Sequence, residues 1–198
     1  MVGRFSVNTS RIKKPRYNQM KNFFTTKRLC RAGVIAALYA AITYVFAPFA
    51  YGPFQLRPAE ALCILPLFFP EAVPALYVGC MLSNLASPYM FYDVFVGALV
   101  TLMAAFISYL VGRFIKKDGW RVFLSGLPIV ILNAVFIPLI IVFLCGGAEG
   151  YSSASVAYFS FVGSIALTEA VWVYGLGTPL YYSMRRLDGK FENFIDRE

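Results

Sequence analysis

The sequence has no histidine and few charged residues. The first absence excludes several kinds of catalytic and metal site, and the second indicates that this is not an ordinary soluble domain. Without histidine, a Ser-His-Asp triad, an HExxH zinc site and haem ligation by histidine are excluded. Charged residues make up 14% of the chain, against about 25% in an ordinary soluble domain, whereas 59% are hydrophobic. The four cysteines include no CxxC pair, so we predict small buried side chains rather than disulfides or metal ligands. We predict no catalytic residue, metal site or cofactor.

The abundant residues are apolar, and their runs predict an all-α integral membrane protein. A chain of 198 residues has room for a bundle of six spanning helices, at about 20 residues each. The second segment is too short to cross about 30 Å of hydrocarbon in a straight α-helix, so it is either a tilted crossing or half of a re-entrant hairpin. The predicted segments are 29–47, 59–69, 72–86, 94–115, 122–144 and 156–184, the last interrupted by Gly175, Gly177 and Pro179.

The basic residues lie almost entirely on one side of the predicted membrane topology. Six crossings would place residues 1–31, the loop at 113–121 and residues 185–198 on one side, and 17 of the 18 Lys and Arg residues lie on that side, Arg57 being the exception. By the positive-inside rule, both termini are cytoplasmic. We therefore predict a basic tail at 1–26, a membrane domain at 27–187 and a C-terminal tail at 188–198. The net charge of +8 does not indicate a nucleic-acid partner.

One stretch, residues 54–62, carries an amide, a guanidinium and a carboxylate inside this apolar protein. Pro58 is tolerated at the first turn of a helix, so a helix is predicted to start there. Glu60 would lie in that first turn, where free backbone N–H groups favour a negative charge. Polar groups at membrane depth indicate a functional site, although an Arg57–Glu60 ion pair that only fastens the loop is the simpler alternative.

Further polar residues are predicted to face the same, outer half of the bundle. The acids Glu60, Asp93 and Glu169 outnumber the single Arg57 there, which suits a ligand with a cationic amine or an N–H beside an NH₂. Aromatic rings could stack on a planar ligand. Asp93 could instead only cap the fourth helix, and the two asparagines could only bond between helices. The additional candidates are Tyr51, Asn84, Asn133 and Trp172.

Small residues form a stripe on the first helix. Ala32, Ala36 and Ala40 recur every four residues, and Gly33, Ala37 and Ala41 repeat the spacing alongside. Such a stripe lets another helix approach closely within a membrane. Packing inside the chain's own bundle and docking on a separate membrane subunit are both consistent with it.

Three segments of the sequence resemble the QueT family of queuosine-precursor transporters, which are S components of energy-coupling factor (ECF) transporters. The first is FQLRPAEALCILPLFFPEAVPALYVGCMLSN at 54–84, the second is DVFVG at 93–97 with TLMAA at 101–105, and the third runs from Glu169 to GLGTPL at 175–180. The resemblance extends over residues 27–186.

The resemblance implies a six-helix bundle of the ECF S-component type, located in the cell membrane. It implies a 7-deazaguanine ligand, such as the 7-aminomethyl form, and as partners a coupling membrane subunit, docked on Ala32, Ala36 and Ala40, and two ATPases. This chain has no GxxxxGK[ST] loop of its own and so cannot hydrolyse ATP by that route. As a transport subunit, it is not expected to be an enzyme. An S component for another purine or a vitamin is the alternative, and an intramembrane enzyme around Asp93 is a weaker one because no GxGD partner exists. By matching position, the binding residues would be Gln55, Arg57, Glu60, Asn84, Asp93 and Glu169.

Overall fold

A computed structural model describes residues 25–51 and 55–195, with side chains up to Leu187. The predicted basic tail at 1–26 therefore lies almost wholly outside the described residues. Residues 52–54 of the predicted outer loop also lie outside them. Within the described part of the chain every regular element is a helix, as the composition predicted. The long elements are α1 (Thr26–Val45), a 3₁₀ helix (Pro58–Leu67), α2 (Ala72–Asn84), α3 (Met90–Phe114), α4 (Asp118–Leu144), α5 (Ala154–Gly175) and α6 (Gly177–Ile195), and a short helix spans Ala47–Ala50.

Among the described residues, four helical stretches are long and apolar enough to cross a membrane: α1, α3, α4 and the run Ala154–Leu187, which comprises α5 and the start of α6. The 3₁₀ helix and α2 are apolar but shorter. The predicted break in the last helix is confirmed, because α5 ends at Gly175 and α6 begins at Gly177. The helix then continues to Ile195, beyond the tail boundary predicted at residue 187. Six crossings and cytoplasmic termini stay predictions.

The 3₁₀ helix lies at the centre of the bundle and contacts all six α-helices. Its start at Pro58, with Glu60 in the first turn, confirms the interpretation of this stretch as a helix opening. Pro66 lacks an N–H and so cannot donate a hydrogen bond within the helix. Nine of its ten residues are buried, because neighbouring helices pack on every side of it. At about 2 Å per residue, it advances further per residue than an α-helix would.

α1 and α2 pack closely because small residues meet at their contact. A Cβ atom on Gly79 would lie 2.9 Å from the Ala36 carbonyl oxygen and 2.9 Å from the Tyr39 Cβ, so only glycine fits this crossing without a shift. Ala36 and Ala40 are buried in the bundle. Gly33, Ala37 and Ala41, the parallel row, are exposed. At Ala36, the small-residue pattern therefore serves packing within the chain.

The start of α3 differs from the prediction. Asp93 was expected to cap a helix starting at Val94, but the helix begins at Met90 and Asp93 lies inside it, in a π-helical segment Asp93–Gly97. The Asn84 amide donates to the Asp93 backbone carbonyl at 2.6 Å. A side chain that bonds to a helix carbonyl competes with the regular ladder, and such insertions accompany π-bulges. The capping interpretation of Asp93 is therefore wrong.

Candidate functional site: a buried charged cluster

Arg57 is buried immediately before the 3₁₀ helix and joins two other elements. Its guanidinium donates to the Asn84 Oδ1, and the Asn84 amide in turn donates to the Asp93 backbone carbonyl. The guanidinium also lies 5.5 Å from the centre of the Tyr51 ring, within cation–π range. The Tyr51 hydroxyl donates to the Ser83 carbonyl at the end of α2. These bonds fix Tyr51, Arg57 and Asn84 relative to one another.

Glu60 is held by two donors of the protein. The Tyr39 hydroxyl of α1 donates to Glu60 Oε1 at 2.5 Å, and the Cys63 thiol donates to Glu60 Oε2 at 3.2 Å. Residues i and i+3 eclipse in a 3₁₀ helix, which places Cys63 directly over Glu60. Glu60 does not form the ion pair with Arg57 that the sequence left open. The ion pairs of the described residues include Arg31–Glu71 and Arg185–Asp118.

Glu169 projects into the same centre from α5 and is only 1% exposed. Its Oε1 accepts a hydrogen bond of 3.2 Å from the Asn133 amide of α4. Its Oε2 has no partner, although it is buried. Trp172, one helical turn further along α5, has a buried indole N–H that is also without a partner. A Phe46 ring contacts the Trp172 ring edge-on, with the ring centres 6.4 Å apart.

The groups around Arg57, Glu60 and Glu169 form one site. Glu169 lies within electrostatic range of both Glu60 and Arg57, and Arg57 lies within range of Asp93. The Asp93 carboxylate accepts a hydrogen bond from the Ser87 hydroxyl. The cluster thus contains three buried carboxylates and one buried guanidinium, supplied by the 3₁₀ helix and its flanking segment, α3 and α5.

Gln55 is buried and lies two residues before Arg57 in the sequence. Its backbone has a φ of +43°, the left-handed region that few residues other than glycine adopt. Strain of this kind concentrates at ligand-binding segments, where the surrounding structure enforces it. The structure therefore brings together Tyr51, Arg57, Glu60, Asn84, Asp93, Asn133, Glu169 and Trp172, whereas Gln55 is placed near them only by its position two residues before Arg57.

Sequence reasoning missed several members of the cluster. Tyr39 is 0% exposed, and its hydroxyl is the closest contact of Glu60. The available signal was the position of this tyrosine in the alanine-rich middle of α1, between Leu38 and Ala40. All four cysteines were predicted to be buried, which is correct for Cys63 and Cys80 and wrong for Cys30, which is exposed, while Cys145 is half-buried. The sulfurs of Cys63 and Cys80 also take part in hydrogen bonds. Thr101 donates to the Cys80 sulfur at 3.3 Å and so joins α3 to α2.

Long apolar helices around a buried, charged centre define this chain as a multi-pass helical membrane protein. Comparison with known proteins then gives the family. A family model described as "QueT transporter" matches residues 29–186, so the chain belongs to the QueT transporter family, and the resemblance found in the sequence is confirmed.

One curated relative is the "Queuosine precursor transporter QueT" of Lactococcus lactis subsp. cremoris (strain MG1363). It is 34% identical over 87 residues, which are 43% of this chain and 51% of the relative. The match therefore spans about half of that relative's length. No solved structure matches the chain.

Proposed function

We propose that the chain is the substrate-binding S component of an ECF-type importer and that it binds a queuosine precursor, a 7-deazaguanine such as the 7-aminomethyl form. The single observation that carries the proposal is the excess of buried carboxylates over guanidinium in the cluster of Glu60, Asp93, Glu169 and Arg57. The family membership and the name of the Lactococcus relative support the same substrate class.

The charge balance favours a ligand that brings donors and positive charge. Buried carboxylates that lack a compensating charge are costly in a membrane, by about 2.5–3.5 kcal/mol each on insertion scales. 7-Aminomethyl-7-deazaguanine carries an ammonium group at one end and N–H groups at the other. The Tyr51 ring lies beside Arg57 and would stack on a planar heterocycle. Binding would thus satisfy groups that burial alone destabilises.

Import requires this site to face outward when it captures the ligand, and the proposed topology has both termini in the cytoplasm. The ion pairs Arg31–Glu71 and Arg185–Asp118 support six crossings, since each joins two residues that six crossings assign to the same side. The positive-inside rule assigns that side to the cytoplasm. In the proposed mechanism the bundle captures the ligand, the outer loops close, and the whole bundle reorients against a coupling subunit driven by two partner ATPases.

The docking surface for that coupling subunit is proposed on the exposed face of α1. Of the predicted stripe, Ala32 and Ala36 line the surface groove between α1 and α2. Ala36 and Ala40 are buried against the bundle, whereas Ala32 is only half-buried. The exposed row Gly33, Ala37 and Ala41 has the same small-residue spacing and continues that surface outward. Close approach of a partner helix requires such small side chains. We therefore assign docking to Ala32 and this exposed row.

Two measurements test the proposal. Purified protein in detergent should bind 7-aminomethyl-7-deazaguanine in calorimetry, and adenine or a planar vitamin should not compete. Ala37→Trp should keep that affinity but abolish uptake by cells that contain the whole transporter, because the indole would block docking. Met103→Trp, which changes a 52% exposed residue on α3, is the matched control and should leave uptake unchanged. Tighter binding of another compound would contradict the proposed ligand. Uptake by cells with the Ala37→Trp variant would contradict the proposed docking surface.

A further inference from the structure

The cluster contains two buried glutamates whose hydrogen-bonding states differ, and this difference assigns them different roles. Both oxygens of Glu60 already accept hydrogen bonds, from Tyr39 and Cys63. Glu169 has one oxygen bound to the Asn133 amide and the other without a partner. Nearly all buried polar groups in folded proteins have partners, so an unpaired carboxylate oxygen in a binding site indicates a ligand donor.

A donor without a partner lies on the same helical face as this acceptor. Trp172 follows Glu169 by three residues on α5, a spacing that makes the two side chains neighbours. Its indole N–H is buried and unpaired, and the Phe46 ring fixes the edge of the indole. Within the described part of the chain, the buried side-chain atoms without a partner are Arg57 Nε, Arg121 Nε, Glu169 Oε2 and Trp172 Nε1. Arg57, Glu169 and Trp172 belong to the cluster, whereas Arg121 does not.

An acceptor beside a donor is complementary to a ring N–H beside a carbonyl group. We propose that Glu169 and Trp172 together bind the lactam edge of a planar heterocycle, with Glu169 Oε2 accepting the ring N–H and Trp172 Nε1 donating to the adjacent carbonyl oxygen. Arg57 Nε is a further buried donor of the cluster without a partner. An adenine-type edge has an amino group where the lactam has its carbonyl, and therefore places a donor against the indole N–H.

In this assignment Glu60 is a positioning residue, because its oxygens are occupied by Tyr39 and Cys63. The ligand's ammonium group, where it has one, lies away from Glu169. The assignment rests on the proposed function, and it goes further by stating that Glu169 is the carboxylate that binds the ring N–H of the ligand. Selectivity for lactam-bearing deazapurines would then reside in α5.

Two ligands that share the lactam edge and differ in charge test this assignment. Calorimetry with 7-aminomethyl-7-deazaguanine and with the uncharged 7-cyano-7-deazaguanine should give, for Glu169→Gln, a loss of affinity of about 10- to 100-fold for both compounds. Trp172→Phe removes the indole N–H and should weaken both compounds by about 10-fold. Elution of each variant as a single folded species in size-exclusion chromatography is the control.

The possible outcomes separate this assignment from the proposed function. Equal losses for both compounds in either variant support the lactam assignment. A loss of affinity confined to the aminomethyl compound would instead place the ammonium group at Glu169 and overturn the lactam assignment. Unchanged affinity in both variants would also overturn this assignment. If the unmodified protein binds neither deazaguanine, the proposed function fails and the assignment fails with it.

Discussion

Tyr39→Phe is the sharpest test of how the cluster is held together. The substitution removes one hydroxyl and keeps the ring, which is 0% exposed and packs at the contact of α1 with α2. The hydroxyl donates to Glu60 Oε1 at 2.5 Å. Without it, this carboxylate keeps only the Cys63 thiol, a weak donor, at 3.2 Å. Tyr39→Phe thus leaves a buried charged oxygen unpaired without creating a cavity in the core.

The expected loss in the free energy of unfolding is about 1.5 kcal/mol. Hydrogen bonds to charged groups contribute about 1.5–3 kcal/mol in soluble proteins. Hydrogen bonds between membrane helices average only about 0.6 kcal/mol and reach about 1.7 kcal/mol. A carboxylate acceptor at full burial belongs at the upper end of the membrane range. For a chain of this size, that loss lowers the melting temperature by about 3–6 °C.

Thermal unfolding of the ligand-free protein in detergent, followed by circular dichroism, measures this shift. Tyr44→Phe is the matched control because it deletes the same atom from the same helix. The Tyr44 hydroxyl donates to the Leu82 carbonyl at 2.8 Å but is exposed, so its loss should shift the melting temperature by no more than about 1–2 °C. Equal shifts in the two variants would refute the view that Tyr39 anchors Glu60.

Two further predictions address packing and topology. Gly79→Ala should destabilise the protein by about 1–3 kcal/mol, because its Cβ would lie 2.9 Å from the Ala36 carbonyl oxygen, whereas Gly33→Ala, with no atom within 4 Å, should not destabilise it. Similar melting temperatures for the two variants would contradict the close helix contact. In intact cells, a membrane-impermeant maleimide should not label the exposed Cys30 of a Cys145→Ser variant until the membrane is permeabilised. Labelling of Cys30 in intact cells would contradict a cytoplasmic N-terminus.

Much of the cluster could be predicted because polar residues are conspicuous in an apolar chain. Arg57, Glu60 and Glu169 are expensive at membrane depth, and that cost alone identifies them as candidates. The helix start at Pro58 followed from its fixed φ and missing N–H. Asp93 was misinterpreted because an acid before an apolar run is the ordinary signal for a helix cap. Nothing local in the sequence reveals that the Asn84 amide donates to the Asp93 backbone carbonyl.

The sequence by itself determined the helical membrane class, the QueT family and the polar residues of the cluster. These follow from composition, from hydrophobic runs and from motifs, all of which are properties of neighbours along the chain. Only the tertiary structure decided that Glu60 is held by Tyr39 while one oxygen of Glu169 stays unpaired. It also decided which row of small residues on α1 is buried. Such partnerships join residues distant along the chain, and they depend on how the helices are rotated and packed against one another.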